Sequence, residues 1–283
     1  MKLAKASSII FILFIALNTY SQTTPEQIFS KGLENFYGGK FNDAIKFFSE
    51  YIKSAPTDYK GFNYRGLCYQ AMKNYPRSIE DFTKVISIAP RSSEGFINRG
   101  NSHFFSNSYP TALQDFNDAI RINSHDIESY FGKSRVYRQL RRFSEALKEV
   151  ITAEGIDPKN PRVYLNMAWV HLQLKDTAKV FKDIETALYY DSNLVFTNYR
   201  RDLLFVLMEN YKNSLVVASK RVDENPNSYM AYFTRGFIYF IMNNYVLAKE
   251  DLSKSISLVK DPDPKFISVI NQIIRSIKRN STK

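Results

Sequence analysis

The chain has 283 residues, a formal charge of +11, 15% aromatic side chains and a single cysteine, Cys68. One cysteine excludes an internal disulfide framework, so ordinary apolar packing must hold the fold. The charge sits unevenly: Lys2 and Lys5 stand at the start, and Lys265, Arg275, Lys278, Arg279 and Lys283 crowd an end that has no acid. Only a mild basic excess is left for the rest of the chain, which argues against a nucleic-acid groove.

The first element in chain order is a secretory signal over 1–21. Lys2 and Lys5 make its charged start and Ile9 to Leu17 its apolar run. Thr19 and Ser21 are the small residues before a cut ahead of Gln22. The run is too short to cross a bilayer, which takes about 20 apolar residues. The expectation is export to the periplasm, the envelope or the outside; retention of the segment as an interfacial anchor is the alternative. No cysteine follows the run to carry a lipid.

From Pro25 onward one pattern recurs every 34 residues without insertion. Seven units follow: 25–58, 59–92, 93–126, 127–160, 161–194, 195–228 and 229–262. A first small-residue column holds Gly32, Gly66, Gly100, Ser134, Ala168, Asp202 and Gly236. A second holds Ala44, Ser78, Ala112, Ala146, Val180, Ser214 and Ala248. Each unit predicts two helices with a polar turn between them. In the second unit Phe62, Cys68 and Tyr69 mark the first helix and Lys73-Asn74 the turn. Ile79, Phe82, Val85 and Ile86 then stripe a second helix that Pro90 stops. The turn column continues as Gly38-Gly39, Asn107-Ser108, Arg141-Arg142, Lys175-Asp176, Glu209-Asn210 and Asn243-Asn244. A period of this length signifies stacked repeats, each packing on its neighbours.

Electrostatics also recur. Arg65, Arg99, Lys133 and Arg235 precede the first small column, and sixteen residues later stand Asp81, Asp115, Glu149 and Asp251. The match predicts ion pairs between the two helices of one unit. The sixth unit departs most, with Asn198 where an aromatic is expected and Asp202 at the small place. A carboxylate at a helix contact needs a partner. Arg221 and Arg235 are the candidates, and a hinge in this unit is the alternative. After the repeats, residues 263–279 predict a capping helix with Phe266, Val269, Ile270, Ile273, Ile274 and Ile277 on one face, and 280–283 a basic tail. An amphipathic helix lying on an acidic membrane is the rival reading of that stretch.

No constellation for chemistry emerges. His103 and His171 share a column with Tyr69, Tyr137 and Tyr239 and read as packing residues. The chain lacks a His-x-x-x-His pair, a glycine-rich phosphate loop and a nucleophile elbow. The expectation is a non-enzymatic protein with no metal and no cofactor.

On these columns the chain resembles the tetratricopeptide repeat family. The resemblance implies an all-α, right-handed superhelical solenoid of seven helix-turn-helix repeats plus the capping helix. It also implies that the first helix of each unit lines a concave groove. The places that would face the groove hold Phe131, Arg135 and Arg138 in the fourth unit, and Arg162, Leu165, Trp169 and Leu172 in the fifth. The sixth has Phe196, Tyr199, Leu203 and Val206, and the seventh Phe233, Phe237 and Phe240. Aromatic and arginine side chains in a concave surface suit a peptide or partner helix with apolar residues and an acidic group. The family's two-carboxylate clamp is not carried over, since its places include Phe29, Leu33 and Asn63. A protein-interaction scaffold is the function implied. The alternatives are a carbohydrate- or peptidoglycan-associated module of the envelope, and an accessory subunit of an envelope enzyme or secretion machine.

Overall fold

The computed structural model describes residues 24–191, 211–259 and 264–280. The expected signal segment and the expected first helix of the sixth unit, with Asp202, lie outside them. The described residues are helices joined by short turns. In chain order these are α1 (Pro25–Tyr37), α2 (Phe41–Ser54), α3 (Tyr59–Ala71), α4 (Tyr75–Ile88), α5 (Ser93–Phe105), α6 (Tyr109–Ile122), α7 (Ile127–Gln139), α8 (Phe143–Ile156), α9 (Pro161–Gln173), α10 (Thr177–Tyr190), α11 (Tyr211–Glu224), α12 (Tyr229–Ile241), α13 (Tyr245–Leu258) and α14 (Pro264–Asn280). Two compact units are distinguished, one ending at Gly132 and one beginning at Lys133, a boundary inside α7.

Local chemistry sets each boundary. Thr24 and Gln27 form a capping box at the start of α1, the Gln27 amide donating to Thr24 Oγ1 at 3.3 Å and the Thr24 amide to Gln27 Oε1 at 3.0 Å. Asp58, Asn160 and Ser228 cap later first helices by accepting from Lys60, Arg162 and Ala231 backbone N–H groups. The turn after each described first helix is a Schellman motif. In repeat two the Lys73 amide donates to the Gln70 carbonyl and the Asn74 amide to the Tyr69 carbonyl. This geometry puts one residue per turn in the left-handed region: Gly39, Lys73, Asn107, Arg141, Lys175 and Asn243. Glycine or asparagine suits that conformation; lysine and arginine adopt it at a cost of about 1–2 kcal/mol.

Packing follows the columns. Phe48, Phe82, Phe116, Val150, Ile184, Ala218 and Leu252, one from each second helix, are all buried. The small column exists because these side chains press against it. A Cβ on Gly32 would lie 2.5 Å from the Phe48 ring, and one on Gly66 2.9 Å from Phe82. The four expected ion pairs are all formed, at 2.7 Å for Arg65–Asp81, Arg99–Asp115 and Arg235–Asp251 and 2.8 Å for Lys133–Glu149. The guanidiniums of Arg65, Arg99 and Arg235 each grip their carboxylate through two nitrogens. Arg235 is engaged by Asp251, while Asp202, for which it was a candidate partner, lies outside the described residues.

Repeat five holds its acid differently. Asp183 stands in the acidic column, but the basic column there is Met167. His171 fills the gap, its Nδ1 lying 2.6 Å from Asp183 Oδ2 with both residues buried. The histidine expected to be a packing residue is thus a hydrogen-bond partner as well. Helix α14 packs on the last repeat: Phe266, Ile270, Ile273 and Ile277 are buried, and the Phe266 ring meets Tyr229 and Phe233. The apolar face that could have lain on a membrane is occupied by the last repeat. Among the described residues no helix is long and apolar enough to cross a bilayer.

Candidate partner-binding surface

The first-helix face divides into buried and accessible parts. Phe131, Leu165, Phe233 and Phe237 are buried, the last two to 1% and 4% exposure. They were expected to line a groove, but they are core. Phe233 and Phe237 stack at 12° and 6.0 Å, and Phe233 also packs on Phe266 of the cap. Closing the end of the array consumes these rings, since the last repeat would otherwise leave an apolar face in water. Arg135, Arg138, Arg162, Trp169, Leu172 and Phe240 are half-buried and keep part of their surface accessible. Phe196, Tyr199, Leu203 and Val206 lie outside the described residues.

The first-helix face of repeats two and three makes its own hydrogen bonds. The Asn63 amide donates to Glu94 at 2.8 Å and accepts from Asn98 at 3.0 Å, and Gln70 donates to Ser102 at 2.9 Å. Side chains committed in this way do not make a clamp.

Repeats four and five differ. Helices α7 and α9 bring Arg138 over the indole of Trp169, with the guanidinium carbon 5.2 Å from the ring centroid. Cation–π attraction holds the two side chains together. Around them opens a pocket of about 480 Å³ lined by Arg138, Gln139, Arg141, Phe143, Trp169, Gln173 and Lys175. Two of these, Arg138 and Trp169, were expected from the sequence. Arg141 and Lys175 were read only as turn residues, and Gln139 and Gln173 were not singled out. The missed signal was the repeat period: Arg141 and Lys175 occupy the same left-handed turn place in successive units, as Gln139 and Gln173 share the place before the turn. Stacking two repeats sets such residues side by side. Among the described residues no group of three or more His, Cys, Asp and Glu is placed to hold a metal.

The tetratricopeptide repeat family model matches residues 63–92 and 127–160, which fall on the second and fourth units. These two units match tetratricopeptide repeats. Solved structures agree on the fold. Yeast Tom70 is 15% identical with a TM-score of 0.57, over 95% of this chain and 58% of that one. A tetratricopeptide repeat protein from Parabacteroides merdae is 15% identical with a TM-score of 0.53, over 90% of this chain and 98% of that one. The thermophilic repeat protein TTC0263 of Thermus thermophilus is 16% identical with a TM-score of 0.55, over 64% of this chain and 100% of that one. A search of curated proteins gave no match. At these identities the likeness is one of fold. Tetratricopeptide repeats generally mediate contacts between proteins.

Proposed function

We propose that this tetratricopeptide repeat protein is an exported, non-enzymatic scaffold. It holds an extended peptide or a helix of a protein partner on the first-helix face of repeats four and five. The observation that carries this reading is the accessible Arg138–Trp169 pair, which opens into a pocket while Phe131 and Leu165 are buried. A half-exposed tryptophan held by an arginine is the kind of anchor that dominates protein interfaces. The signal-like start of the chain supports a partner in the periplasm or cell envelope.

The test is a crosslinked pulldown from native envelope with the parent protein and the Trp169→Ser, Arg138→Gln variant, after circular dichroism has shown equal helix content. Loss of a partner only in the variant is the expected result. Recovery of the same proteins with both would remove this face from consideration. Phe233 and Phe237 are unsuitable for such a test, because replacing rings buried under the cap would unfold the last repeat.

A further inference from the structure

Three cations converge on the pocket of repeats four and five, and its lining holds no carboxylate among the described residues. Arg141 and Lys175 reach it from the turns. Both adopt left-handed backbone, with φ of 57° and 60°, in a column that Gly39, Asn107 and Asn243 fill at less conformational cost. The neighbouring turn acids do not neutralise them: Glu145 pairs with Arg142 and Asp176 with Lys179. Like charges in a concave site focus a positive potential. Gln139 and Gln173 add two amides, each offering a donor and an acceptor, and Phe143 and Trp169 supply apolar wall.

We infer that this pocket binds an acidic segment of a protein partner, its carboxylate lying among Arg138, Arg141 and Lys175 and its backbone against Gln139 and Gln173. The amides decide between ligand chemistries. A peptide backbone presents both N–H and C=O groups and uses both functions of each glutamine, whereas a lipid phosphate uses donors alone. The volume suits a few residues of chain better than an isolated carboxylate. This assignment rests on the scaffold reading and names the chemistry of its partner.

Trp169 is the only tryptophan, so its emission reports on this pocket directly. The experiment titrates the full chain with a ten-residue peptide of alternating Glu and Gly, with its Gln counterpart, and with phosphatidylglycerol vesicles. The expected result is a saturable emission change with the Glu peptide and binding about tenfold weaker with the Gln peptide. The Arg141→Asn, Lys175→Asn variant uses a residue already present in that turn column, so the turn survives. It should weaken the Glu peptide about tenfold, while Lys84→Gln, an exposed position on α4, leaves binding unchanged. Glu-peptide affinity unaltered in the double variant would overturn the assignment, as would an emission change with vesicles and none with peptide. A native partner retained by the double variant but lost with Trp169→Ser, Arg138→Gln would overturn the acidic-segment assignment and leave the scaffold standing. Glu-peptide binding at the pocket with no partner from the envelope would do the reverse.

Discussion

At the residue scale, repeat five shows how one substitution in a column redirects a neighbour. With Met167 where Arg65, Arg99, Lys133 and Arg235 stand elsewhere, Asp183 takes His171 from the turn above as its partner. Burial pushes the Asp183 carboxyl above the usual carboxylate range, and the His171 hydrogen bond pulls the other way. A carboxyl raised in the fold favours its protonated form there, so this contribution to stability is present at low pH and lost as pH rises through the raised value. His171→Tyr, which uses the residue of the sister repeats, leaves the Asp183 charge unpartnered. Its expected cost at neutral pH is about 3–5 kcal/mol. The deficit should shrink as pH falls through the Asp183 value, and adding Met167→Arg should restore most of it. Chemical denaturation at several pH values checks all three; a deficit independent of pH would mean that lost packing, and not the buried charge, is responsible. The partner of Asp183 was not legible in the sequence because His171 lies twelve residues away, off the sixteen-residue spacing of the other pairs.

At the scale of elements, helix boundaries and turns were legible because short-range chemistry sets them. Schellman turns, side-chain caps and a strict apolar stripe all act within a few residues. The capping helix is the clearest case: its stripe was visible in the sequence, and Phe266, Ile270, Ile273 and Ile277 are indeed buried. Each buried side chain of this kind contributes about 1.5–3 kcal/mol. Deleting residues 264–283 should therefore remove several kcal/mol and uncover Phe233. The expected readouts are a lower unfolding midpoint and new binding of a hydrophobic dye. An unchanged midpoint would show that the last repeat closes without α14. What the stripe did not reveal was its effect on the groove, since burying Phe233 and Phe237 beneath the cap removes them as anchors.

At the scale of the whole molecule, a chain of repeats that contact their neighbours should not unfold as one cooperative body. Phe48 is fully buried in repeat one, and Phe48→Ala should cost about 3–5 kcal/mol there. Hydrogen exchange should then lose protection in α1 to α3 while α12 to α14 keep theirs. Uniform loss along the chain would show that stability is shared globally. The same nearest-neighbour logic builds the candidate site: the pocket needs only repeats four and five, so its peptide response should survive this distant substitution.

Spacing along the chain was enough for the period, the helices of the described repeats, the four arginine or lysine ion pairs and the cap. Each depends on spacing along one chain, and periodic spacing becomes a periodic set of contacts once the helices form. Tertiary structure decided which first-helix side chains remain open. Leu165 and Trp169 sit one helical turn apart in the same repeat, yet one is buried and the other accessible. It also decided that Arg141 and Lys175 share a pocket with Arg138. Accessibility depends on what the adjoining repeat places against a side chain, and no pattern within a single repeat contains that.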